Sequence, residues 1–152
     1  MADKLLAGMT ILVVDDSQPI RSMMRNVLND SSCAKILEAH DGIGAMRLLD
    51  TNPVDIVLME YHMPFVDGIK VARYIRKSFG NDMIIGIITG ETDQTVVSEC
   101  QKVGVDTFII KPFSASTVKS RLQAALKRKP KVPGGSRPAG NGSVSFVPPN
   151  ER

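Results

Sequence analysis

The chain has few of the features that are typical of disulfide-bonded secreted proteins, zinc-binding proteins or membrane-spanning proteins. It contains two cysteines and no tryptophan in 152 residues. Two cysteines do not make a disulfide framework, and neither Cys33 nor Cys100 has the close Cys or His spacing of a zinc site. No apolar run approaches the roughly 20 residues of a membrane span, and the N-terminus lacks a signal-peptide cleavage site before its first acidic pair. We therefore expect a cytoplasmic protein that does not contact membranes.

The charge balance is also slight, with 19 Lys plus Arg against 16 Asp plus Glu. A formal charge of +3 is too small to indicate a nucleic-acid partner. Hydrophobic residues make up 43%, which is an ordinary globular composition. Residues 130–152 contain five Pro and four Gly without periodicity. We predict one domain over residues 1–129 and a flexible C-terminal tail over residues 130–152.

Short apolar runs alternate with segments of helical period through the first 129 residues. This alternation is typical of parallel strands covered by helices on both faces, so we predict an α/β fold with an open, doubly wound sheet. The predicted strands are Thr10–Val14, Lys35–Ala39, Asp55–Met59, Met83–Thr89 and Thr107–Ile110. The strands are largely apolar, which predicts burial on both faces.

Polar residues that accept hydrogen bonds precede each helical segment and are suited to cap its N-terminus. The predicted helix starts are Ser17, Asp41, Asp67, Thr92, and either Ser114 or Ser116. On the first helix, the spacing places Met23 with Met24, Val27 and Leu28 on the inner face.

The residues that follow the strands carry the chemistry. Function in open parallel sheets gathers at the carboxyl ends of the strands. The residues at these ends are Asp15, Asp16, Glu60, Thr89 and Lys111. Crowded carboxylates need a compensating positive charge, and Mg²⁺ together with Lys111 would supply it. A hydroxyl and an ammonium group beside the metal suit the stabilisation of a phosphoryl group.

Four stretches of sequence closely resemble the receiver domain of two-component response regulators. They are ILVVDDS with Arg21 after it, DIVLMEYHMPFVDGI, IITG and FIIKPF. The resemblance implies a flavodoxin-like five-stranded sheet in the order 2-1-3-4-5. It also implies a phosphorelay switch that receives a phosphoryl group from a histidine kinase or phosphotransfer protein. Output would pass to a downstream target protein through the fourth helix, fifth strand and fifth helix.

The resemblance also assigns roles to individual residues. It implies a Mg²⁺ site formed by Asp15, Asp16, Glu60 and the backbone carbonyl of His62. Thr89 resembles the switch hydroxyl. Lys111 resembles the phosphate-binding lysine, joined to Pro112 by a cis peptide. Phe108 resembles the switch aromatic, at a position where the family often has Tyr.

Glu60 departs from the family because it stands where the phosphoacceptor aspartate is expected. An added methylene moves the carboxylate about 1.5 Å from its usual place, and in-line attack tolerates little displacement. We therefore expect aspartyl phosphorylation to be absent or greatly reduced. Three explanations are open: an introduced change that imitates phosphorylation, a natural receiver that no longer uses phosphate, and a site with slow residual phosphorylation.

Two other functions compete with the switch. The fifth helix and its exit are rich in Lys and Arg, which is compatible with a phosphate-independent binding module that acts through this helix and the tail. The acidic pair at positions 15 and 16 also resembles that of Mg²⁺-dependent phosphatases, although a second catalytic loop is lacking. We expect a partner-controlled switch rather than an enzyme.

Overall fold

The computed structural model describes residues 3–90 and 93–131, in which strands and helices alternate. The strands are β1 (Thr10–Val14), β2 (Lys35–Ala39), β3 (Ile56–Glu60), β4 (Ile84–Thr89) and β5 (Thr107–Ile110). The helices are α1 (Gln18–Asp30), α2 (Gly42–Thr51), α3 (Gly68–Phe79), α4 (Gln94–Val103) and α5 (Ala115–Arg128). The predicted tail lies outside the described residues from position 132 onward, so the domain boundary at residue 129 stays a prediction.

The strands form one parallel sheet in the order β2-β1-β3-β4-β5, which confirms the predicted fold class and topology. The register brings the strand ends into line. Val14 pairs with Ala39 on one side and Met59 on the other, and Glu60 pairs with Ile88. Thr89 pairs with Ile110. The residues that end these strands therefore share one edge of the sheet.

Each face of the sheet covers its own hydrophobic core. Leu12 and Val57 point into the core beneath α2, α3 and α4. Their neighbours Ile11 and Leu58 point to the opposite core, beneath α1 and α5. Full burial of one such side chain contributes about 1.5–3 kcal/mol relative to exposure. The central strands are buried on both faces, as their apolar sequences predict.

The helix starts follow the predictions with one exception. Ser17, Asp41, Asp67 and Ser114 cap α1, α2, α3 and α5, each accepting a backbone N–H of the first turn. The prediction that Thr92 opens the fourth helix is wrong, because Asp93 is its N-cap and accepts the N–H of Thr95 at 2.6 Å.

Three smaller predictions also need correction. Asp55 precedes β3 and Met83 precedes β4, because these strands begin one residue later than predicted. Met23 is 47% exposed on α1 and does not belong to its inner face. Its position borders the core stripe of Met24, Val27 and Leu28, and apolar character alone does not show which border residue is covered.

Within the described residues, none of the helices combines the length and the apolar character that crossing a membrane requires.

Candidate functional site

Three of the predicted residues meet at the carboxyl edge of the sheet. Asp15 follows β1, Glu60 ends β3 and Lys111 follows β5. The Lys111 ammonium donates to Asp15 Oδ2 at 3.2 Å and to Glu60 Oε1 at 2.5 Å. Two carboxylates from different strands thus share one cation, although 96 and 51 residues separate them from Lys111 in the chain.

The Glu60 carboxylate is surrounded by hydrogen-bond donors. Its Oε1 accepts from Lys111, while Oε2 accepts the backbone N–H of Tyr61 at 2.6 Å and that of His62 at 3.2 Å. The residue is 8% exposed. An ammonium and two backbone N–H groups that converge in this way form a site for an anion, because charge-assisted hydrogen bonds are the stronger ones.

Burial and ion pairing together set the electrostatics of the Asp15–Lys111 pair. Asp15 is fully buried, and this burial raises the pKa of its carboxyl group even though Ser17 and Lys111 both donate to it. Partial burial acts to lower the pKa of Lys111, but its hydrogen bonds and ion pairs with Glu60 and Asp15 outweigh this effect and raise it. Lys111 is therefore held as a cation by the two carboxylates.

The remaining predicted residues differ in burial and in distance from this centre. Thr89 ends β4 and is 1% exposed, and its carbonyl accepts the Lys111 N–H at 2.9 Å. Asp16 and the side chain of His62 are exposed. The peptide bond between Lys111 and Pro112 is cis, as the resemblance predicts. The roles of these residues in catalysis, switching and metal binding stay predictions.

The local fold after β3 explains why Gly follows Asp67. The Gly68 N–H donates to the carbonyl of Tyr61 at 2.8 Å, which closes the loop against the strand end. A Cβ at position 68 would lie 2.6 Å from the carbonyl oxygen of Glu60. Only glycine permits this approach, so α3 begins directly beside Glu60.

Two contacts at this edge were not predicted from the sequence. Arg21 on α1 donates to the backbone carbonyl of Asp15 at 2.5 Å and pairs with Glu38 of β2 at 3.3 Å. The Tyr61 hydroxyl donates to Glu99 of α4 at 2.8 Å. Arg21 belongs to the motif, but no pattern indicated its partners. For Tyr61, the one sequence signal of a role at the site is its position directly after Glu60.

Phe108 lies away from this centre, in β5. Its ring is partly exposed and packs against the core beneath α4. It also lines a groove of about 270 Å³ between α4 and α5, with Val105 and Ala124 as other apolar walls and Arg121 and Arg128 as basic ones.

The site offers few protein ligands for a metal ion, but their number is compatible with magnesium. Among residues 3–90 and 93–131, no group of three His, Cys, Asp or Glu side chains is arranged to hold a metal ion. Mg²⁺ usually needs only one or two protein carboxylates, with water and phosphate oxygens completing its octahedron. The consecutive carboxylates of Asp15 and Asp16 meet that requirement, and a buried carboxylate whose pKa is raised gains from a nearby cation.

Comparison with known proteins decides the family. A model of the response regulator receiver domain matches residues 11–123. The chain belongs to the response regulator receiver family. The chemotaxis protein CheY-3 of Vibrio cholerae is 32% identical over 122 residues, which cover 80% of this chain and 94% of that protein. The CheY homologue of Campylobacter jejuni is 33% identical over 121 residues, 78% of this chain and 92% of that protein.

Solved receiver structures agree with the fold. CheY4 of Vibrio cholerae superposes with a TM-score of 0.73 at 29% identity, over 79% of this chain and 100% of that chain. The receiver domain of a sensor histidine kinase from Pseudomonas aeruginosa, solved with magnesium in its active-site cleft, gives a TM-score of 0.69 at 26% identity. That match covers 80% of this chain and 99% of the other. Receiver domains are signalling modules that interact with histidine kinases and downstream targets.

Proposed function

We propose that this receiver domain is a phosphorelay-type switch in which Glu60 replaces the phosphoacceptor and biases the switch without a phosphoryl group. One observation carries the proposal: the Glu60 carboxylate itself fills the anion site formed by the Lys111 ammonium and the N–H groups of Tyr61 and His62. The groups that would donate hydrogen bonds to phosphoryl oxygens thus already donate to the Glu60 side chain.

The same contacts argue against a nucleophilic role for Glu60. Both carboxylate oxygens accept hydrogen bonds, which occupy lone pairs that an attacking oxygen would need. A phosphoryl group would also have to displace the carboxylate from the donors that stabilise it. Glu60 supplies about one charge and two oxygens, against nearly two charges and three oxygens in a phosphate, so its effect on the switch is incomplete.

Magnesium is the cofactor that this site is suited to bind. We assign it to Asp15, Asp16, Glu60 and the backbone carbonyl of His62, with Asp15 and Asp16 as the main ligands because Glu60 is already held by three donors. When bound, the ion would neutralise charge on the carboxylates and on any phosphate oxygens. Thr89 and Lys111 would then be the hydroxyl and ammonium that contact the anion at position 60.

Partners follow from the same proposal. A histidine kinase or phosphotransfer protein would dock over the carboxyl edge, and a downstream target protein would contact α4, β5 and α5. The groove beside Phe108 supports the second contact, because its apolar floor is bordered by Arg121 and Arg128. Signalling by protein contact in the cytoplasm, without membrane or nucleic-acid binding, completes the proposal.

The deciding experiment exposes the full chain to a small phosphodonor, such as acetyl phosphate, with Mg²⁺ and measures the intact mass. We expect no added phosphoryl group on the protein as it stands, while Glu60→Asp restores the acceptor and gains one. Addition of a phosphoryl group to the Glu60 protein would contradict the proposal and favour slow residual phosphorylation. If Glu60→Asp also fails to gain mass, the site is not a phosphorylation-type site at all.

A further inference from the structure

Tyr61 connects Glu60 to α4 by two hydrogen bonds. Its backbone N–H donates to the side chain of Glu60 at 2.6 Å, and its hydroxyl donates to Glu99 at 2.8 Å. Glu99 lies on α4. A single residue therefore touches both the site and a helix of the proposed output surface.

At the site end, two acceptors share the Tyr61 N–H. Glu60 Oε2 lies 2.6 Å from the nitrogen, and the carbonyl oxygen of Ile88 on β4 lies 3.3 Å from it. The second bond continues the β3–β4 ladder beyond the end of β3. Because one hydrogen is divided between two acceptors, removal of the carboxylate shifts the N–H toward Ile88 and moves the peptide that carries Tyr61.

At the helix end, Glu99 is held from two directions. Its Oε1 accepts from the Tyr61 hydroxyl, and its Oε2 lies 3.6 Å from the Arg73 guanidinium of α3. The exposed fractions of the Glu99 and Arg73 side chains are 40% and 55%, so their ion pair is weak. The Tyr61 hydroxyl is then the better-defined of the two contacts and fixes Glu99 relative to β3.

The segment around Tyr61 is stiff enough to transmit a displacement. Its partly buried ring packs against the core beneath α3 and α4, and its carbonyl is fixed by the Gly68 N–H. A phenol keeps its proton at neutral pH, so the Tyr61 hydroxyl can donate to Glu99 there.

We infer that Tyr61 is a positioning residue that couples the side chain at position 60 to α4 through its hydroxyl bond with Glu99. This route does not pass through Thr89 or Phe108. It adds to the proposed function, on which it rests, a physical link that operates whether or not position 60 is ever phosphorylated.

The test compares amide chemical shifts in the labelled full-length protein, without phosphodonor or Mg²⁺. Glu60→Ala is expected to shift the amides of α4, residues Gln94–Val103, as well as those next to position 60. When Tyr61→Phe is also present, the same substitution should shift the α4 amides by about half or less, because the link has lost its hydroxyl, while the amides of His62 and Lys111 respond as before.

Tyr74→Phe is the matched control. Tyr74 on α3 also donates its hydroxyl to a carboxylate, that of Asp50 on α2, and it lies on a different element from residue 60. It should leave the α4 response to Glu60→Ala unchanged. Glu99→Ala, which keeps Tyr61 intact, should reproduce the loss caused by Tyr61→Phe.

Equal α4 responses with and without the Tyr61→Phe substitution would overturn the inference, as would an equal loss in the Tyr74→Phe protein. Neither result bears on whether Glu60 accepts phosphate, because no phosphodonor is present. The mass experiment and the chemical-shift experiment can therefore fail independently.

Discussion

Both edges of the sheet hold a largely buried ion pair, but the two edges satisfy their charges in different ways. At the carboxyl edge, Lys111 serves both Asp15 and Glu60. At the amino edge, Arg76 of α3 pairs with Asp106, which precedes β5, at 2.9 Å. The side chains of Arg76 and Asp106 are 9% and 11% exposed, whereas that of Lys111 is 25% exposed, so Arg76 is better covered than Lys111.

The amino-edge network is saturated with backbone partners. Arg76 also donates to the carbonyls of Gly80, Met83 and Gly104. Asp106 in turn accepts the N–H of Ile85 at 2.8 Å and pairs with Lys129 at 2.9 Å. Loss of one partner from such a buried pair is costly, and its bonds tie α3, β4, β5 and the end of α5 together.

The carboxyl edge is undersupplied with positive charge by comparison. Lys111 faces two carboxylates, and the exposed Asp16 adds a third next to Asp15. Such an imbalance is destabilising for the fold, because neighbouring carboxylates repel each other, and a bound cation would relieve it. The two edges thus differ in charge ratio: two cations pair with Asp106, whereas Asp15 and Glu60 share one.

The largest effect should follow from breaking the amino-edge network. Arg76→Met removes one of the two cations that pair with Asp106 and a donor to three backbone carbonyls, so the free energy of unfolding should fall by about 3–5 kcal/mol. Chemical denaturation measures this loss. Arg73→Met is the control, since the Arg73 side chain is 55% exposed and its ion pair should contribute less than about 1 kcal/mol. Similar losses for both variants would refute the distinction.

Removal of the shared cation at the other edge should cost less and depend on metal. Lys111→Met leaves the buried Asp15 carboxylate beside Glu60, and we expect a loss of about 1–3 kcal/mol in the presence of a chelator. Under the proposed function Mg²⁺ binds the native carboxylates, so added Mg²⁺ should recover part of that loss. Denaturation curves with and without Mg²⁺ test this, and Arg76→Met serves as the metal-insensitive control. A loss that Mg²⁺ leaves unchanged would count against the cation site.

The smallest expected effect is a change in tyrosine absorbance. The comparison is between Tyr61, which lies beside the site, and Tyr74, which lies outside it. Burial and the bond to Glu99 raise the pKa of Tyr61 to about 12, and burial with the bond to Asp50 raises that of Tyr74 further. Because both native pKa values exceed the unfolded value of about 10, native stability from these groups is lost as the pH rises above 10.

Phenolate absorbance measured from about pH 9 to 12 should therefore rise later in the folded protein than in denaturant. The chain has two tyrosines and no tryptophan, so the signal is simple. Tyr61→Phe assigns the earlier of the two native transitions to Tyr61. Half-ionisation of Tyr61 near pH 10 in the native state would contradict the expected upward shift of its pKa.

The fold and the central site were predictable because both rest on local patterns. Runs such as Thr10–Val14 are too short for helices and too apolar for a solvated strand, so a buried parallel sheet follows. Parallel strands end at one edge, which brings Asp15, Glu60 and Lys111 together whatever the details of their side chains. The helix caps were predictable for a similar reason, except at α4, where Asp93 competes with Thr92 one residue earlier.

The amino-edge network and the Tyr61 contacts were not predicted, because they join residues with no shared motif. Arg76 and Asp106 lie 30 residues apart, and Tyr61 and Glu99 lie 38 apart. An arginine at the end of a helix is usually solvated, so no local pattern indicated that Arg76 is buried. The exposed position of Met23 depends likewise on how closely α1 packs on the sheet.

The order of elements, the burial of the strands and the set of charged residues at the carboxyl edge follow from the amino-acid sequence alone, since they depend on periodicity and on where strands end. Tertiary packing was needed to establish where the Glu60 carboxylate points, that Lys111 and two backbone N–H groups hold it, and that Tyr61 reaches α4. Hydrogen bonds depend on atomic positions within tenths of an ångström, and packing between segments distant in the chain sets those positions.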